Sequence, residues 1–155
     1  MMRRFTLPFV VALLLIGCDQ QRDRSAPLRS PQLLELRYST PDATAETTAL
    51  PLMDGVGTID VFPQQIFTGN NVDRVRLVFS PDRGKGRATL IFDLDEDGKK
   101  ALQSAKDTGE QVLLAIVYDG SIISSTAMPE NVTTQLGLET DAKHAAIVFT
   151  RLTAR

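Results

Sequence analysis

A run of apolar residues in the second half of the chain restricts the fold more than any other segment. Residues 112–118 (VLLAIVY) contain no charged side chain, and an apolar run of this length predicts a strand that is buried on both faces. Asp119-Gly120 follows directly, and this dipeptide is typical of a tight turn between antiparallel strands. The partner strand is expected over residues 121–127, so the segment predicts a hairpin with one fully buried strand.

Two other segments show the alternation of apolar and polar residues that is typical of half-buried strands. Apolar residues recur at alternate positions over 72–80 and again over 87–94, and the polar, glycine-containing loop over 81–86 joins the two. We therefore expect a second hairpin here. Additional strands are predicted over residues 33–38, 57–62 and 131–138, whereas residues 39–55 show no pattern that assigns them to an element.

Two helices complete the predicted elements. Residues 98–105 predict a short helix that Gly109 terminates. Thr140 is expected to cap a second helix that extends to Leu152. The apolar face of this second helix comprises Ala142, Ala145, Ala146, Phe149 and Leu152. Strands interrupted by two helices, in a chain of 155 residues, predict a single α+β domain with a mixed or antiparallel sheet.

The N-terminus has the layout of a bacterial secretory signal. Arg3 and Arg4 precede an apolar stretch over residues 5–16, which is too short to cross a bilayer comfortably. It leads into Leu-Ile-Gly-Cys at residues 15–18, and this tetrapeptide resembles the lipobox of bacterial lipoproteins. In that family the cysteine is lipid-modified, and the signal is cut just before it.

The resemblance to lipoproteins implies an order of segments along the chain. Residues 1–17 would be the signal peptide, Cys18 the site of lipidation, and Asp19 a signal for retention at the inner membrane. Residues 18–32, which are mostly polar and contain two prolines, would form a flexible tether, and residues 33–155 the folded domain. The expected location is the periplasmic side of the inner membrane, and an outer-membrane location is the alternative. A cleaved signal with an incidental cysteine is the alternative.

Composition excludes several classes of function. The 17 Lys and Arg side chains against 19 Asp and Glu give a net charge of -2, which provides no basic surface for nucleic acid. A single cysteine cannot form an intramolecular disulfide, and with a single histidine it is too small a set for a structural zinc site. We expect no cofactor and no nucleic-acid partner.

Residues 57–152 resemble a domain of the translocase accessory protein SecD, namely the head subdomain of its first periplasmic domain. The similarity lies in four segments that occur in the same order, among them LLAIVYDGSIISSTAM and LGLETDAKHAAIVFTRL. The four segments are residues 58–72, 88–102, 113–128 and 136–152. The resemblance implies a module that contacts polypeptide. We expect the proton-coupled motor role, which resides in the membrane helices of SecD, not to carry over.

An acidic stretch is the main candidate for a metal site. Asp93, Asp95 and Asp97 alternate as in the first half of a calcium-binding loop. Position twelve of such a loop would be Ser104 instead of glutamate, and two lysines lie inside it. These departures argue against calcium, and we expect no bound metal. The alternatives are acids that favour the N-terminus of the following helix or, with Glu96, a paired-carboxylate hydrolase site.

One histidine and three basic residues are further candidates. His144 lies off the apolar face of the last predicted helix, which favours a solvated surface residue over a catalytic or pH-sensing one. Arg83, Lys85 and Arg87 are separated by glycines and are expected in an exposed loop. Contact with lipid phosphates is the alternative if this loop faces the membrane.

We expect a binding protein rather than an enzyme, because the sequence provides no set of nucleophile, base and orienting residue. One hypothesis is a module that binds unfolded polypeptide, or a translocase or other envelope protein. It would act by strand addition at an open sheet edge or through an apolar groove. The hairpins over residues 112–127 and 72–94 are the candidate edges. The other hypothesis is an envelope scaffold that supports a complex and has no client of its own.

Overall fold

The computed structural model describes residues 23–79, 86–108 and 113–154 of the chain. In chain order, the strands and helices of these residues are β1 (Arg24–Pro27), β2 (Leu34–Thr40), β3 (Thr48–Pro51), β4 (Thr58–Thr68), β5 (Val72–Phe79), β6 (Arg87–Leu94), α1 (Glu96–Lys106), β7 (Leu113–Tyr118), β8 (Ser121–Ala127), β9 (Gln135–Asp141) and α2 (Ala142–Thr153). Short 3₁₀ turns at Pro31–Leu33 and Gly69–Asn71 precede β2 and β5. The predictions that concern the signal peptide, Cys18, Asp19, Arg83, Lys85 and Gly109 lie outside the described residues.

The strands form two antiparallel sheets, which confirms the predicted α+β class. Sheet A has the order β1-β5-β6-β9, and sheet B has the order β3-β4-β2-β7-β8. Both predicted hairpins are present, since β5 pairs with β6 and β7 pairs with β8. The second hairpin turns at Asp119 and Gly120, whose φ angles are 47° and 77°. A two-residue hairpin turn of type I′ requires a positive φ at both of its central residues.

Sheet B curls until its two outer strands approach each other. Leu52, just after β3, forms an isolated parallel bridge with Ile122 of β8, and the Met53 N–H donates to the Ile122 carbonyl at 2.9 Å. The curvature coincides with register shifts between β2 and β4, and bulges of this kind bend a strand. Pro63 lies in the larger bulge, opposite Tyr38, where its missing N–H breaks no ladder hydrogen bond.

The main hydrophobic core lies between the two sheets and the helices, and a smaller cluster lies inside the curl of sheet B. The main core includes Leu34, Leu36, Val75, Leu77, Leu90, Phe92, Leu102, Leu114, Ile116, Val148 and Leu152. The smaller cluster consists of Val61, Ala115, Val117 and Ile122. Because alternate residues of β7 enter the two clusters, every residue from Leu114 to Tyr118 is buried. The uninterrupted apolar run predicted this double burial.

Tyr118 brings a polar atom into the core. Its side chain is 3% exposed, and its hydroxyl has no hydrogen-bond partner among the described residues. Tyr118→Phe is therefore expected to raise the free energy of unfolding by about 1 kcal/mol in urea denaturation. Tyr38→Phe is the matched control, because Tyr38 is only half-buried. This substitution should change the free energy of unfolding by no more than about 0.5 kcal/mol. A marked loss of stability in Tyr118→Phe would contradict the assignment of an unpaired hydroxyl.

The prediction of a flexible tether over residues 18–32 is wrong for its second half. Arg24–Pro27 forms β1 and pairs with β5 at the edge of sheet A, although its side chains are mostly exposed. The N–H groups of Arg29 and Ser30 then both donate to the carbonyl of Leu152, near the end of α2. These are backbone contacts, which any residue can make, so the side-chain pattern carries no sign of them.

Boundaries near α2 also differ from the prediction. The strand predicted over residues 131–138 is β9 (Gln135–Asp141), and Asp141 caps α2 instead of Thr140. Thr140 is buried on the face of β9 that packs on the core, so its side chain is directed away from the helix start. Val148, which is absent from the predicted apolar face, is fully buried.

The stretch that the sequence pattern did not assign contains an edge strand. β3 (Thr48–Pro51) pairs with β4, and its side chains are largely exposed, which explains why residues 39–55 show no alternation. β4 continues to Thr68, beyond the predicted segment 57–62, because the bulge at Pro63 carries the strand past the proline.

Candidate functional site

The acidic residues that resemble a calcium loop take part in separate interactions. Asp93 Oδ1 lies 2.8 Å from Arg76 Nη2, and both side chains are half-buried. Asp97 Oδ1 lies 3.5 Å from Lys100 Nζ at the protein surface. Within the described residues, no group of three or more His, Cys, Asp or Glu side chains could hold a metal ion. The carboxylates of this stretch therefore have different partners instead of converging on one point.

Asp95 caps α1. Its Oδ1 accepts a hydrogen bond from the Gly98 N–H at 2.6 Å, and the helix begins at Glu96, two residues before the predicted start at residue 98. A carboxylate at this position satisfies a free N–H and interacts favourably with the helix dipole. The geometry matches the alternative interpretation in which the acids stabilise a helix N-terminus.

Asp95→Ala is expected to lower the free energy of unfolding by about 1 kcal/mol, because it removes this cap. Asp97→Ala is the control, since its ion pair with Lys100 is exposed and its loss should cost no more than about 0.5 kcal/mol. Urea denaturation of both variants, with and without added calcium, measures the difference. A calcium-dependent gain in stability that either substitution abolishes would contradict the capping interpretation.

Only one of the two hairpins proposed as binding edges lies at a sheet edge. β5 and β6 are inner strands of sheet A, so the hairpin over residues 72–94 offers no open edge, and that prediction is wrong. β8 is the last strand of sheet B. Leu52 and Met53 cover its beginning at Ile122. No strand of the described residues pairs with the outer side of residues 124–127.

An open groove, which we call the edge groove, lies between β8 and the neighbouring edge of sheet A. One wall is β8, the other is β9 with the first turn of α2, and the volume is about 440 Å³. The residues between β3 and β4 line one side of it. From β8, β9 and α2 the lining comprises Ile123, Ser124, Ser125, Glu139, Thr140, Asp141 and His144.

His144 is half-buried in this groove rather than solvated, which corrects the prediction. Its side chain is 27% exposed, and its Nδ1 lies 3.6 Å from Asp141 Oδ1. The spacing of three residues at the start of α2 brings the two side chains together. Ser125 Oγ is paired with Ser39 Oγ at 3.1 Å, and among the described residues no serine hydroxyl bonds to His144. The groove thus presents hydrogen-bonding groups and charges of both signs.

Arg87 also belongs to the groove. It is the first residue of β6, as the strand predicted over residues 87–94 has it, and its Nε lies 3.1 Å from Glu139 Oε1. Both side chains are partly exposed, and ion pairs of this kind contribute only about 0–1 kcal/mol. The pair can therefore rearrange at little cost when a polar ligand enters.

A second open region lies at the bulges of β4. It has a volume of about 630 Å³, and its lining includes Tyr38, Phe62, Pro63 and Leu113. No residue of β8 or β9 lines this region. We regard the edge groove as the better candidate site, because it combines a strand edge with charged and hydroxyl side chains.

The described residues contain no helix long and apolar enough to span a bilayer. Neither a family model nor a curated protein sequence matches the chain. Similarity is found at the level of solved structures. The crystal structure of SecDF in a super-membrane-facing form superposes with a TM-score of 0.55 at 16% identity, over 78% of this chain and 18% of that one.

A second SecDF structure gives the same result. It is described as a membrane component that enhances protein export, and it matches with a TM-score of 0.55 at 18% identity, over 83% of this chain and 63% of that one. The chain thus corresponds to less than two thirds of either structure. At this level of identity the match concerns the fold alone. The described part of the chain therefore has the fold of SecDF periplasmic domains, as the sequence resemblance predicted.

Proposed function

We propose that the protein is a lipid-anchored component of the bacterial envelope whose domain binds an extended polypeptide segment at β8. The domain would correspond to the head subdomain of the first SecD periplasmic domain. The observation that carries the proposal is the edge of β8 over residues 124–127, which has a neighbouring strand on one side only. An extended peptide adds to such an edge through main-chain hydrogen bonds that depend little on its sequence.

The edge groove supports binding beside this edge. Leu52 and Met53, which are partly exposed, offer apolar contacts, Ser124 a hydroxyl, and Asp141 and His144 a polar opposite wall. A peptide that pairs with β8 would direct alternate side chains to the two faces of the sheet. The mixed lining favours a segment that alternates polar and apolar residues over a uniformly apolar one.

The location of the protein follows from the lipobox-like residues 15–18. An anchor at Cys18 would confine the domain to the membrane surface, which raises its effective concentration toward polypeptides that emerge there. One of the matching structures is described as a component that enhances protein export. An accessory role in export is therefore the cellular function that we propose.

A photoreactive amino acid at Thr126 or at Thr89 tests the edge. Both residues are half-buried threonines in strands, but Thr126 lies in the edge strand β8 and Thr89 in the inner strand β6. We expect the full chain, expressed in cells, to form several-fold more polypeptide adducts from Thr126 than from Thr89.

The identity of the adducts separates the two functional hypotheses. Many exported polypeptides, each captured in small amounts, would support client binding. One envelope protein captured in stoichiometric amounts would support the scaffold. Equal yields from Thr126 and Thr89 would contradict a role of the β8 edge in either case.

A further inference from the structure

The direction of β1 determines the end of sheet A at which the predicted lipid anchor joins the domain. β1 runs antiparallel to β5, with Arg24 opposite Leu77, so the chain enters β1 beside the last residues of β5. The Phe79 N–H donates to Asp23 Oδ1 at 3.1 Å. This hydrogen bond holds Asp23, the first described residue, at the same end of the sheet.

Other elements reach this end, which we call the anchor end. β6 begins there with Arg87, which pairs with Asp141 at the end of β9. The Ala142 N–H, at the start of α2, donates to the Gly86 carbonyl at 2.7 Å. Because Arg87, Asp141 and His144 all line the edge groove, this groove also opens at the anchor end.

The chain between the anchor and the domain is short. Five residue steps from Cys18 to Asp23 span at most about 18 Å when fully extended. The opposite end of sheet A, which we call the distal end, is where the Leu94 N–H donates to the Thr134 carbonyl. The length of β6 separates the two ends by roughly 24 Å. A lipid at Cys18 therefore keeps the anchor end close to the bilayer, and the distal end has room to lie well away from it.

We infer that the anchor end of sheet A faces the bilayer surface, so that the edge groove opens toward the membrane. The inference rests on the lipid anchor of the proposed function and adds an orientation to it. A polypeptide that emerges at the membrane surface would then meet the β8 edge directly.

The charges at the anchor end indicate what sets this orientation. Among the described residues there, Arg24, Arg87 and Lys143 are accompanied by Asp23, Glu139 and Asp141, so the described part of this face has no dominant charge. Electrostatic attraction to anionic lipid requires an excess of basic residues. The short connection to Cys18 sets the orientation instead, which should therefore depend little on salt or on the content of anionic lipid.

An exposed apolar side chain supports the same orientation. Val56, in the turn between β3 and β4, is 76% exposed. Met53 and Asp54 of the same turn line the edge groove, which opens at the anchor end. An apolar side chain in this place can contact the headgroup region of a bilayer.

Fluorescence quenching by lipid tests the orientation. Cys18 is the only cysteine and its thiol would carry the lipid, so Lys143→Cys and Thr134→Cys each introduce one free thiol for a fluorophore. Both residues are exposed, with Lys143 at the anchor end and Thr134 at the distal end. The full lipidated chain is reconstituted in phosphatidylethanolamine–phosphatidylglycerol vesicles that contain a headgroup spin label. We expect several-fold stronger quenching at residue 143 than at residue 134, at low and at high salt.

A longer connection provides the control. A Gly–Ser linker of about 15 residues inserted between Arg22 and Asp23 should release the constraint and bring the two quenching values close together. If the protein floats with vesicles but the original chain shows equal quenching at the two positions, or stronger quenching at residue 134, the orientation is wrong and the anchor stands. If the protein does not float with vesicles, the anchor fails and the orientation with it.

Discussion

Gly69→Ala should lower the free energy of unfolding by about 3 kcal/mol. A Cβ atom at this residue would meet the carbonyl oxygen of Pro31 and would lie 2.6 Å from the Pro31 Cα. Both atoms belong to the backbone, so no side-chain rotation can relieve the clash, and one of the two 3₁₀ turns must move. Urea denaturation of the purified domain measures the loss of stability.

Gly137→Ala is the matched control for this substitution. The nearest atom to its added Cβ would be Thr89 Cγ2 at 3.9 Å, an ordinary van der Waals distance. Because alanine also restricts the unfolded chain, the free energy of unfolding should change by no more than about 0.5 kcal/mol. Equal denaturation midpoints for the two variants would show that the close approach of Pro31 to Gly69 does not constrain the fold.

The contact at Gly69 also matters for the connection to the membrane. It helps to hold residues 24–33, which we call the strap, against the domain. The strap also includes the Arg29 and Ser30 N–H groups that donate to the Leu152 carbonyl. If Gly69→Ala displaces Pro31, these two amides should exchange with solvent faster while the amides of β7 stay protected. A displaced strap would lengthen the connection between Cys18 and the domain.

The β7–β8 hairpin could be predicted because its signals are local. An uninterrupted apolar run specifies burial on both faces, and Asp119-Gly120 specifies the backbone conformation of the turn. The strands β1 and β3 could not be predicted in the same way. Both are edge strands with mostly exposed side chains, so neither shows the alternation of a half-buried strand. β1 is held by β5, which is far away in the sequence, whereas β3 is held by the nearby β4.

The candidate site, the edge groove, could not be predicted from local sequence signals either. Its walls come from the turn after β3, from β8 and from β9, and no motif connects these segments in the sequence. The acidic residues that follow Phe92 indicated only a local feature, namely the N-terminus of α1, which Asp95 caps. For α2 the sequence predicted Thr140 as the cap, whereas the adjacent Asp141 caps the helix. The register of β9 decides between them, because Thr140 lies opposite Ala88 on the buried face.

Preventing lipidation is expected to change the location of the protein almost completely. Cys18→Ser should abolish incorporation of labelled palmitate, because the chain has no other cysteine. Each buried methylene of an acyl chain contributes about 0.8 kcal/mol to membrane binding, and several chains together give an anchor that does not readily leave the bilayer. Among the described residues, the mixed charges of the anchor end and the exposed Val56 cannot replace an interaction of this size.

An uncut signal peptide could hold the Cys18→Ser protein at the membrane, so a second variant is needed. When residues 1–18 are exchanged for a signal that is cut by the general signal peptidase, the released domain should appear in the soluble periplasmic fraction. Asp19→Ser is the control that keeps the acyl chains, and we expect it to stay membrane-bound with a larger share in the outer membrane. If the exchanged variant still sediments with membranes, the domain itself binds the envelope, and the short connection to Cys18 cannot be what orients it.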